Sequence, residues 1–181
     1  MSTARPSWVF AYGSLMWNPG FTAPETQAAR LHGWHRAFCI YSEHYRGTPK
    51  KPGLILGLLP GGSCRGLAHR LPRKNYDAVR RYLWTREIDN DGVYQETIRP
   101  IHLADGRTVP ALVYLADRAH RQFAGKLPAA RAIKLMRQGR GVTGTTLEYV
   151  HNTVAHLRDL GIRDAALEKL ALRAATRGAA R

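Results

Sequence analysis

The spacing of apolar residues changes along the chain, and this change restricts the possible folds more than any other feature. Up to residue 115, apart from a helical stretch after Pro72, the apolar residues form short runs separated by glycine, proline and aspartate, which is typical of strands and turns. Beyond residue 130 they recur every three or four positions, which is typical of amphipathic helices. Strands followed mostly by helices favour an α+β fold over a doubly wound α/β fold. Many short strands with hairpin turns also fit a small closed or nearly closed barrel.

Six apolar segments are predicted as strands. The first is aromatic-rich and runs directly into a tight loop at Gly13 and Ser14. The sequence PGGS at residues 60–63 separates two apolar runs and predicts a hairpin turn. A second turn is predicted at residues 104–106. The predicted strands cover residues 8–12, 31–41, 53–59, 64–71, 94–101 and 109–115.

Four helices are predicted from the positions of the apolar residues. Pro72 opens the first, and a polar loop at residues 89–92 follows it. Gly161 suits the C-terminal cap of the third. The apolar residues that define the helices are Tyr76, Val79 and Leu83 for the first, Ile133 and Met136 for the second, Leu147, Val150, Val154 and Leu157 for the third, and Leu167 and Leu170 for the fourth.

The chain has 181 residues, a length that fits one domain. We assign residues 1–172 to that domain and residues 173–181, which are rich in arginine and alanine, to a C-terminal tail. The longest apolar run, residues 54–59, is too short to span a bilayer, so no membrane partner is expected. Residues 1–6 lack the charged-then-apolar pattern of a signal peptide, and we therefore expect a cytoplasmic protein.

Basic residues outnumber acidic residues by 28 to 13, which gives a formal charge of +15. One interpretation is a nucleic-acid partner. However, 22 of the basic residues are arginine, and an excess of arginine and alanine is also what a GC-rich genome produces. The charges are scattered along the chain, so we do not expect a nucleic-acid partner. Attraction of a small anionic substrate is compatible with either origin of the charge.

The sequence lacks the motifs of several common enzyme classes. Ser14 follows a glycine but has no second glycine behind it, which argues against the nucleophile elbow of a serine hydrolase. Neither a Walker loop nor a Rossmann glycine fingerprint occurs. The histidine pairs at 32 and 35 and at 151 and 156 have no carboxylate or cysteine at ligand spacing, so no metal site is expected.

The two cysteines, Cys39 and Cys64, are too few for a disulfide framework or a zinc site. Both lie inside apolar segments, and neither has a neighbour that would lower the pKa of its thiol. We expect both to be small buried side chains and neither to be a nucleophile.

Two unusual features remain. A glycine-containing turn at residues 12–15 follows a strand, and such a turn exposes backbone N–H groups that can hold a carboxylate or an oxyanion. Glu87 follows Arg86 at the end of a predicted helix, where a carboxylate opposes the helix dipole. The residue pattern leaves two interpretations of Glu87 open, a solvated surface charge or a carboxylate kept for proton transfer. As an unpaired carboxylate it would contribute little to the stability of the fold.

Five sequence blocks, in this order, resemble the ChaC-type γ-glutamylcyclotransferases over residues 8–172. The blocks are WVFAYGSLMWNPGF at 8–21, YRGTP at 45–49 with KPGL at 51–54, GSCRGLA at 62–68, WTRE at 84–87 with GVY at 92–94, and GTTLEY at 144–149 with NT at 152–153 and LGIRD at 160–164. Tyr45 departs from the pattern, because histidine is common there, although His44 stands just before it. Residues 89–91 fall where family members vary in length and form a candidate insert.

The resemblance implies a small mixed β-barrel with flanking helices that works without a metal or an organic cofactor. The implied reaction converts a γ-glutamyl amide into 5-oxoproline and a free amine. For the ChaC branch the implied substrate is glutathione, which yields cysteinylglycine. The resemblance places the role of general base and acid on Glu87. The candidate substrate-binding residues are Tyr12, Gly13, Ser14, Leu15, Arg46 and Tyr149.

Several of these assignments have alternatives. Arg46 lies in a loop bounded by glycine and proline and is our candidate for the carboxylate at the glycine end of glutathione, the alternative being a solvated surface arginine. Tyr149 is a candidate for hydrogen bonding in the pocket, the alternative being a core tyrosine beside Val150. Glu96 and Glu148 are the carboxylates that compete with Glu87.

Two other functions also remain open. One keeps the reaction and changes the substrate to another γ-glutamyl amine or peptide. The other is a non-catalytic basic module that binds nucleic acid or regulates a partner. That module would need clustered lysine and arginine with stacking aromatic residues, whereas the aromatic residues here lie in apolar runs.

Overall fold

The computed structural model describes residues 5–89 and 92–176. The strands are β1 (Trp8–Ala11), β2 (Thr26–Ser42), β3 (Gly53–Arg70), β4 (Tyr94–Leu103), β5 (Thr108–Ala116), β6 (Arg140–Gly141) and β7 (Gly144–Thr145). The helices are α1 (Tyr76–Trp84), α2 (Ala129–Gln138), α3 (Thr146–Asp159) and α4 (Ala165–Ala175). A short 3-10 turn covers Ser14–Met16, and a π-helical turn covers Thr85–Asp89.

The first five strands form a closed barrel in the order β1-β3-β2-β4-β5. Strand β1 pairs antiparallel with β3, where Trp8 lies opposite Arg70, and parallel with β5, where Trp8 lies opposite Ala111. Strands β4 and β5 form an antiparallel hairpin around the turn predicted at residues 104–106. Because parallel and antiparallel pairs both occur, the barrel is mixed, and the predicted α+β class with a small mixed barrel is confirmed.

The hairpin turn predicted at residues 60–63 is wrong. Strand β3 runs without a break through these residues. Gly61 and Gly62 have φ angles of 102° and 68°, so they bend the strand locally, as in a β-bulge, and do not reverse it. His35 on β2 lies beside the bend, with Nδ1 3.0 Å from the carbonyl oxygen of Gly61. A glycine pair that needs positive φ has the same sequence signature in a bulge and in a turn.

The described residues divide into two compact units. The first comprises the described residues up to Arg36 together with Leu58–His120, and it holds β1, β4, β5 and α1. The second comprises Ala37–Gly57 and the described residues from Arg121 onward, and it holds α2, α3 and α4. The long strands β2 and β3 contribute to both units.

In the first unit, α1 buries Val79 and Leu83, as their spacing predicts. The helix begins at Tyr76, four positions after the proline predicted to open it. Strand β2 begins at Thr26 rather than at residue 31, because Ala29 is buried and pairs with Leu103 of β4.

In the second unit, α3 starts with a capping box. Thr145 Oγ1 accepts a hydrogen bond from the Glu148 N–H at 3.1 Å, and Glu148 Oε2 accepts one from the Thr145 N–H at 2.7 Å. The predicted cap at Gly161 is confirmed, since this residue has a φ of 66° and its N–H donates to the carbonyl of Arg158 at 2.8 Å.

The last helix, α4, continues to Ala175 and so extends past residue 172, where the predicted tail begins. Leu167, Ala171 and Ala174 are its buried residues. Residues 177–181 of the predicted tail lie outside the described residues. The assignment of residues 1–172 to one domain and 173–181 to a tail stays a prediction.

Candidate active site

Glu87 lies in the π-helical turn Thr85–Asp89, which continues directly from α1. A π-helical turn is rare and is frequent at functional sites, because the extra residue redirects the side chains that follow it. The Glu87 side chain is only 15% exposed. The carboxylate is therefore mostly shielded from water, which is unlike a solvated surface charge. Of the loop predicted at residues 89–92, Asp89 belongs to this turn and residues 90 and 91 lie outside the described residues.

Two opposing influences act on the Glu87 carboxyl group. Burial raises its pKa, and the adjacent Arg86 guanidinium lowers it, with burial the stronger of the two. Arg86 Nε lies 3.1 Å from Glu87 Oε1. The expectation of an unpaired carboxylate is thus wrong, because the turn brings two side chains that are adjacent in sequence into contact. A carboxylate with a raised pKa is a better proton acceptor than an ordinary one.

The predicted binding loop, residues 12–15, is held in place through its carbonyl groups. The buried side chain of Arg36 donates from Nε to the carbonyl oxygen of Tyr12 at 2.6 Å. The buried ring of His69 lies with Nε2 2.9 Å from the carbonyl oxygen of Leu15, and Thr26 Oγ1 lies 2.9 Å from its other ring nitrogen. A carbonyl oxygen can only accept, so the His69 ring donates from Nε2 to Leu15, and its Nδ1 accepts from the Thr26 hydroxyl. Burial lowers the pKa of His69 and so favours this neutral form of the ring.

The other two carbonyl groups of the loop are also hydrogen-bonded. The carbonyl of Gly13 accepts from the Met16 N–H at 2.9 Å, and that of Ser14 accepts from the Asn18 N–H at 2.9 Å. Among residues 5–89 and 92–176, no backbone carbonyl accepts a hydrogen bond from the N–H of Gly13, Ser14 or Leu15. Three successive N–H groups in the described part of the loop thus have no backbone acceptor, and their binding of a carboxylate or an oxyanion stays a prediction. The Tyr12 side chain is buried, and its hydroxyl donates to the carbonyl of Tyr114 at 2.8 Å.

The guanidinium group of Arg86 connects the loop to Glu87. Besides its contact with Glu87, it donates from Nη2 to Ser14 Oγ at 2.9 Å. Its Nη1 donates to the carbonyl of Asn18 at 2.6 Å and to the Tyr82 hydroxyl at 2.8 Å. We call these five residues the Arg86 clamp (Ser14, Asn18, Tyr82, Arg86 and Glu87).

Gly20 makes room for this arrangement. Its φ of 78° lies in the left-handed region, and a Cβ atom placed on it would lie 1.9 Å from the Tyr82 hydroxyl oxygen. Glycine at position 20 is therefore required both by backbone conformation and by the closeness of Tyr82.

Two other predicted substrate-binding residues, Arg46 and Tyr149, lie together in the second unit. The Arg46 guanidinium carbon lies 5.4 Å from the centre of the Tyr149 ring, a cation–π distance. Arg46 Nη1 also donates to the carbonyl of Thr143 at 2.6 Å. The Tyr149 hydroxyl accepts from the Leu56 N–H at 3.4 Å, and the Tyr149 ring packs edge-on against Phe38. Both side chains are half-buried.

The two competing carboxylates have structural partners. Glu96 on β4 receives hydrogen bonds from both terminal nitrogens of Arg80, each at 2.7 Å, and from the Tyr114 hydroxyl at 3.1 Å. Glu148 belongs to the capping box of α3, and the N–H and hydroxyl groups of Thr145 lower its pKa. These contacts favour Glu87 as the proton acceptor.

Sequence reasoning missed the residues that support the loop from a distance. Arg36 and His69 lie on β2 and β3, far along the chain from Tyr12 and Leu15. No local pattern marks them, because their partners are backbone carbonyls that only the barrel brings near. The sequence shows Arg86 only as the neighbour of Glu87, and no local pattern marks its contacts with Ser14 and Asn18 either.

Within the described residues, no group of three or more histidine, cysteine, aspartate or glutamate side chains is placed to hold a metal ion. In the same part of the chain, none of the helices is long and apolar enough to cross a membrane. Both cysteines are buried, as predicted.

Known proteins resemble this chain over most of its length. The model of the ChaC-like protein family matches residues 7–176. A glutathione-specific γ-glutamylcyclotransferase of Escherichia coli K12 is 38% identical over 165 residues, which is 91% of this chain and 71% of that protein. A glutathione-specific γ-glutamylcyclotransferase of Schizosaccharomyces pombe is 30% identical, over 88% of each chain.

A solved structure shares the fold. It is a crystal structure of a γ-glutamylcyclotransferase specific to glutathione from yeast, with a TM-score of 0.85. The likeness covers 94% of this chain and 96% of the yeast chain, at 21% sequence identity. The family match, the 38% identity to the bacterial relative and the shared barrel agree with one another. The chain belongs to the ChaC-like protein family.

Proposed function

We propose that this protein is a γ-glutamylcyclotransferase that cleaves glutathione to 5-oxoproline and cysteinylglycine. The observation that carries the proposal is the Glu87 carboxylate, which is mostly buried, has a raised pKa and is joined through Arg86 to a loop with available backbone amides. The names of the bacterial and fission-yeast relatives, both glutathione-specific γ-glutamylcyclotransferases, support the same substrate.

The substrate carries its own nucleophile. The α-amine of the glutamyl group attacks the γ-carbonyl carbon and closes a five-membered ring, after which the amide C–N bond to cysteine breaks. Holding the glutamyl chain in a folded shape removes most of the entropic barrier to this attack. No water molecule is consumed, and the atoms of glutathione are divided between the two products.

Glu87 is proposed to carry the proton through the reaction. The amine arrives as an ammonium ion, and it becomes a nucleophile only when a base removes a proton. The cysteine nitrogen is a poor leaving group until it receives one. A single carboxylate can accept the first proton and deliver it to the cysteine nitrogen, and the raised pKa of Glu87 suits it to both steps. The ring nitrogen loses a second proton as the tetrahedral intermediate collapses, and the cysteine nitrogen takes up a second proton when it is released as an ammonium ion.

The remaining candidates are proposed to bind the substrate. The backbone amides of Gly13, Ser14 and Leu15 are suited to the glutamyl end and to the oxyanion of the tetrahedral intermediate. Arg46 is proposed to bind the carboxylate at the glycine end, since a guanidinium group pairs with a carboxylate in a bidentate manner. Tyr149 contacts Arg46 and is proposed to hydrogen-bond to the substrate beside it.

The test is incubation of the purified protein with reduced glutathione, followed by measurement of 5-oxoproline, cysteinylglycine and glutamate. We expect the first two in equal amounts, no glutamate, and the same rate in a chelator. Release of glutamate would identify water as the nucleophile and contradict the mechanism. If γ-glutamyl amines other than glutathione react and glutathione does not, the reaction stands and the substrate assignment fails.

A further inference from the structure

We propose that Arg86 is a positioning residue that fixes the binding loop and the catalytic carboxylate as one rigid assembly, and that it directs the Ser14 hydroxyl toward the substrate. This inference rests on the proposed function and deepens it, because it assigns a task to a side chain that the reaction chemistry leaves unused. The inference rests on the contacts that Arg86 makes with the other residues of the Arg86 clamp.

The side chain of Arg86 contacts the other four residues of the Arg86 clamp. A guanidinium group has five N–H donors in a fixed plane. In the clamp, Nε faces Glu87, Nη1 donates to Asn18 and Tyr82, and Nη2 donates to Ser14, so four of the five donors have a partner. The side chain is only 20% exposed. Because the group is planar, it cannot shift toward one partner without leaving another.

The direction of the bond to Ser14 has a consequence for the substrate. Arg86 has donors and no acceptor, so Ser14 Oγ must accept in this contact. The hydroxyl hydrogen of Ser14 then remains available to donate to an acceptor on the substrate, next to the amides of the loop. A serine without Arg86 would rotate freely and lose this preference.

The charge of Arg86 also acts on Glu87. Among the described residues, the Arg86 guanidinium and the Tyr114 phenol of β5 interact electrostatically with its carboxylate. Burial raises the pKa of Tyr114 well above neutral, so this phenol stays uncharged. Arg86 is therefore the group that holds down the pKa of Glu87 against burial, and loss of its charge makes the carboxylate harder to ionise.

The test compares Arg86→Gln, Arg86→Lys and Ser14→Ala, with Arg81→Gln on an exposed position of α1 as the matched control. We expect Arg86→Gln to lower kcat/KM about tenfold to a hundredfold, the loss typical of a charged hydrogen bond, and to move its acid limb to higher pH. We expect Arg86→Lys to return the acid limb of the pH profile toward its wild-type pH. It should not restore KM, because an ammonium group cannot contact all four partners. Ser14→Ala raises KM and leaves the limb in place.

Three results would overturn the proposal. One is a folded Arg86→Gln variant with the wild-type pH profile. The second is an Arg86→Lys variant with unchanged kcat and KM, which decides the question if Arg86→Gln does not fold. The third needs no substrate: if carbon-13 NMR shows the same titration midpoint for Glu87 with and without the Arg86 charge, the proposal fails. Absence of 5-oxoproline from the wild-type protein would instead reject the proposed function.

Discussion

Arg80 on α1 holds Glu96 on β4 through two parallel hydrogen bonds, from Nη1 to Oε2 and from Nη2 to Oε1, each 2.7 Å long. The pair raises the pKa of the Arg80 guanidinium, which therefore stays charged. Both side chains are mostly buried. Since α1 leads directly into the turn that carries Glu87, this ion pair fixes the helix to the barrel strand and the turn with it.

Glu96→Gln should destabilise the fold more than it affects chemistry. The change leaves the charge of Arg80 without its partner in a poorly hydrated site, and we expect a loss of about 1–3 kcal/mol in the free energy of unfolding. Urea unfolding measures this, and turnover of the folded variant should stay within tenfold of wild type. Asp77→Asn, which breaks an exposed pair with Arg5, is the control and should cost at most about 1 kcal/mol. Unchanged stability together with lost turnover would make Glu96 the catalytic carboxylate.

The double variant Cys39→Ala with Cys64→Ala should retain catalysis. Burial raises the pKa of the Cys39 thiol to about 12, so almost no thiolate exists near neutral pH. Cys64 is buried and has a weak contact from Sγ to the carbonyl of Arg65 at 3.7 Å. We expect native protein to react slowly with a thiol reagent and the variant to keep its kcat, with some loss of stability from the removed sulfur atoms. A folded but inactive variant would show that the mechanism is incorrect.

Arg46→Ala should raise KM for glutathione far more than for glutathione whose glycine carboxylate is converted to an amide. The backbone contacts of Arg46, from its N–H to Ser42 Oγ and from Thr146 Oγ1 to its carbonyl, do not depend on the side chain and preserve the loop. Steady-state kinetics with both substrates gives the comparison. Equal changes in KM for the two substrates would remove Arg46 from substrate discrimination.

Local sequence patterns correctly predicted helices and a helix cap, because these depend on interactions between residues that are close in sequence. Amphipathic spacing placed α1 and α3, and the glycine at residue 161 marked the end of α3. The hairpin turn predicted at residues 60–63 is wrong, because β3 continues through these residues between its neighbours β1 and β2. A glycine pair alone does not show whether the chain reverses or continues as a strand.

Only part of the candidate site could likewise be predicted from the sequence. Glu87 and the loop at residues 12–15 were identified from the sequence and from its family resemblance. Their surroundings were not, because Arg36, His69 and Tyr82 reach the loop and the clamp only after the barrel and α1 have formed. The pairing of Glu87 with Arg86 depends on the π-helical turn, which has no sequence signature in this chain.

Glu87 is proposed to be the proton carrier, and Glu87→Gln tests this role. Glutamine keeps the size of the side chain and removes the proton acceptor. We expect kcat to fall by about 10²- to 10⁴-fold, the contribution typical of one acid–base group. Binding of glutathione, measured by calorimetry, should persist because the backbone of the loop is unchanged. The neutral amide avoids the cost of a buried charge but weakens the contact with Arg86, so stability should change little.

The decisive measurement is therefore the rate of 5-oxoproline formation by Glu87→Gln beside that of Glu148→Gln. The second variant is a matched control, because glutamine serves as well as glutamate at the third position of a capping box. We expect a folded Glu87→Gln protein that binds glutathione and has almost no turnover, and a Glu148→Gln protein with near wild-type turnover. Wild-type turnover in Glu87→Gln would show that Glu87 is not the proton carrier, and selective loss of turnover in Glu148→Gln would assign that role to Glu148.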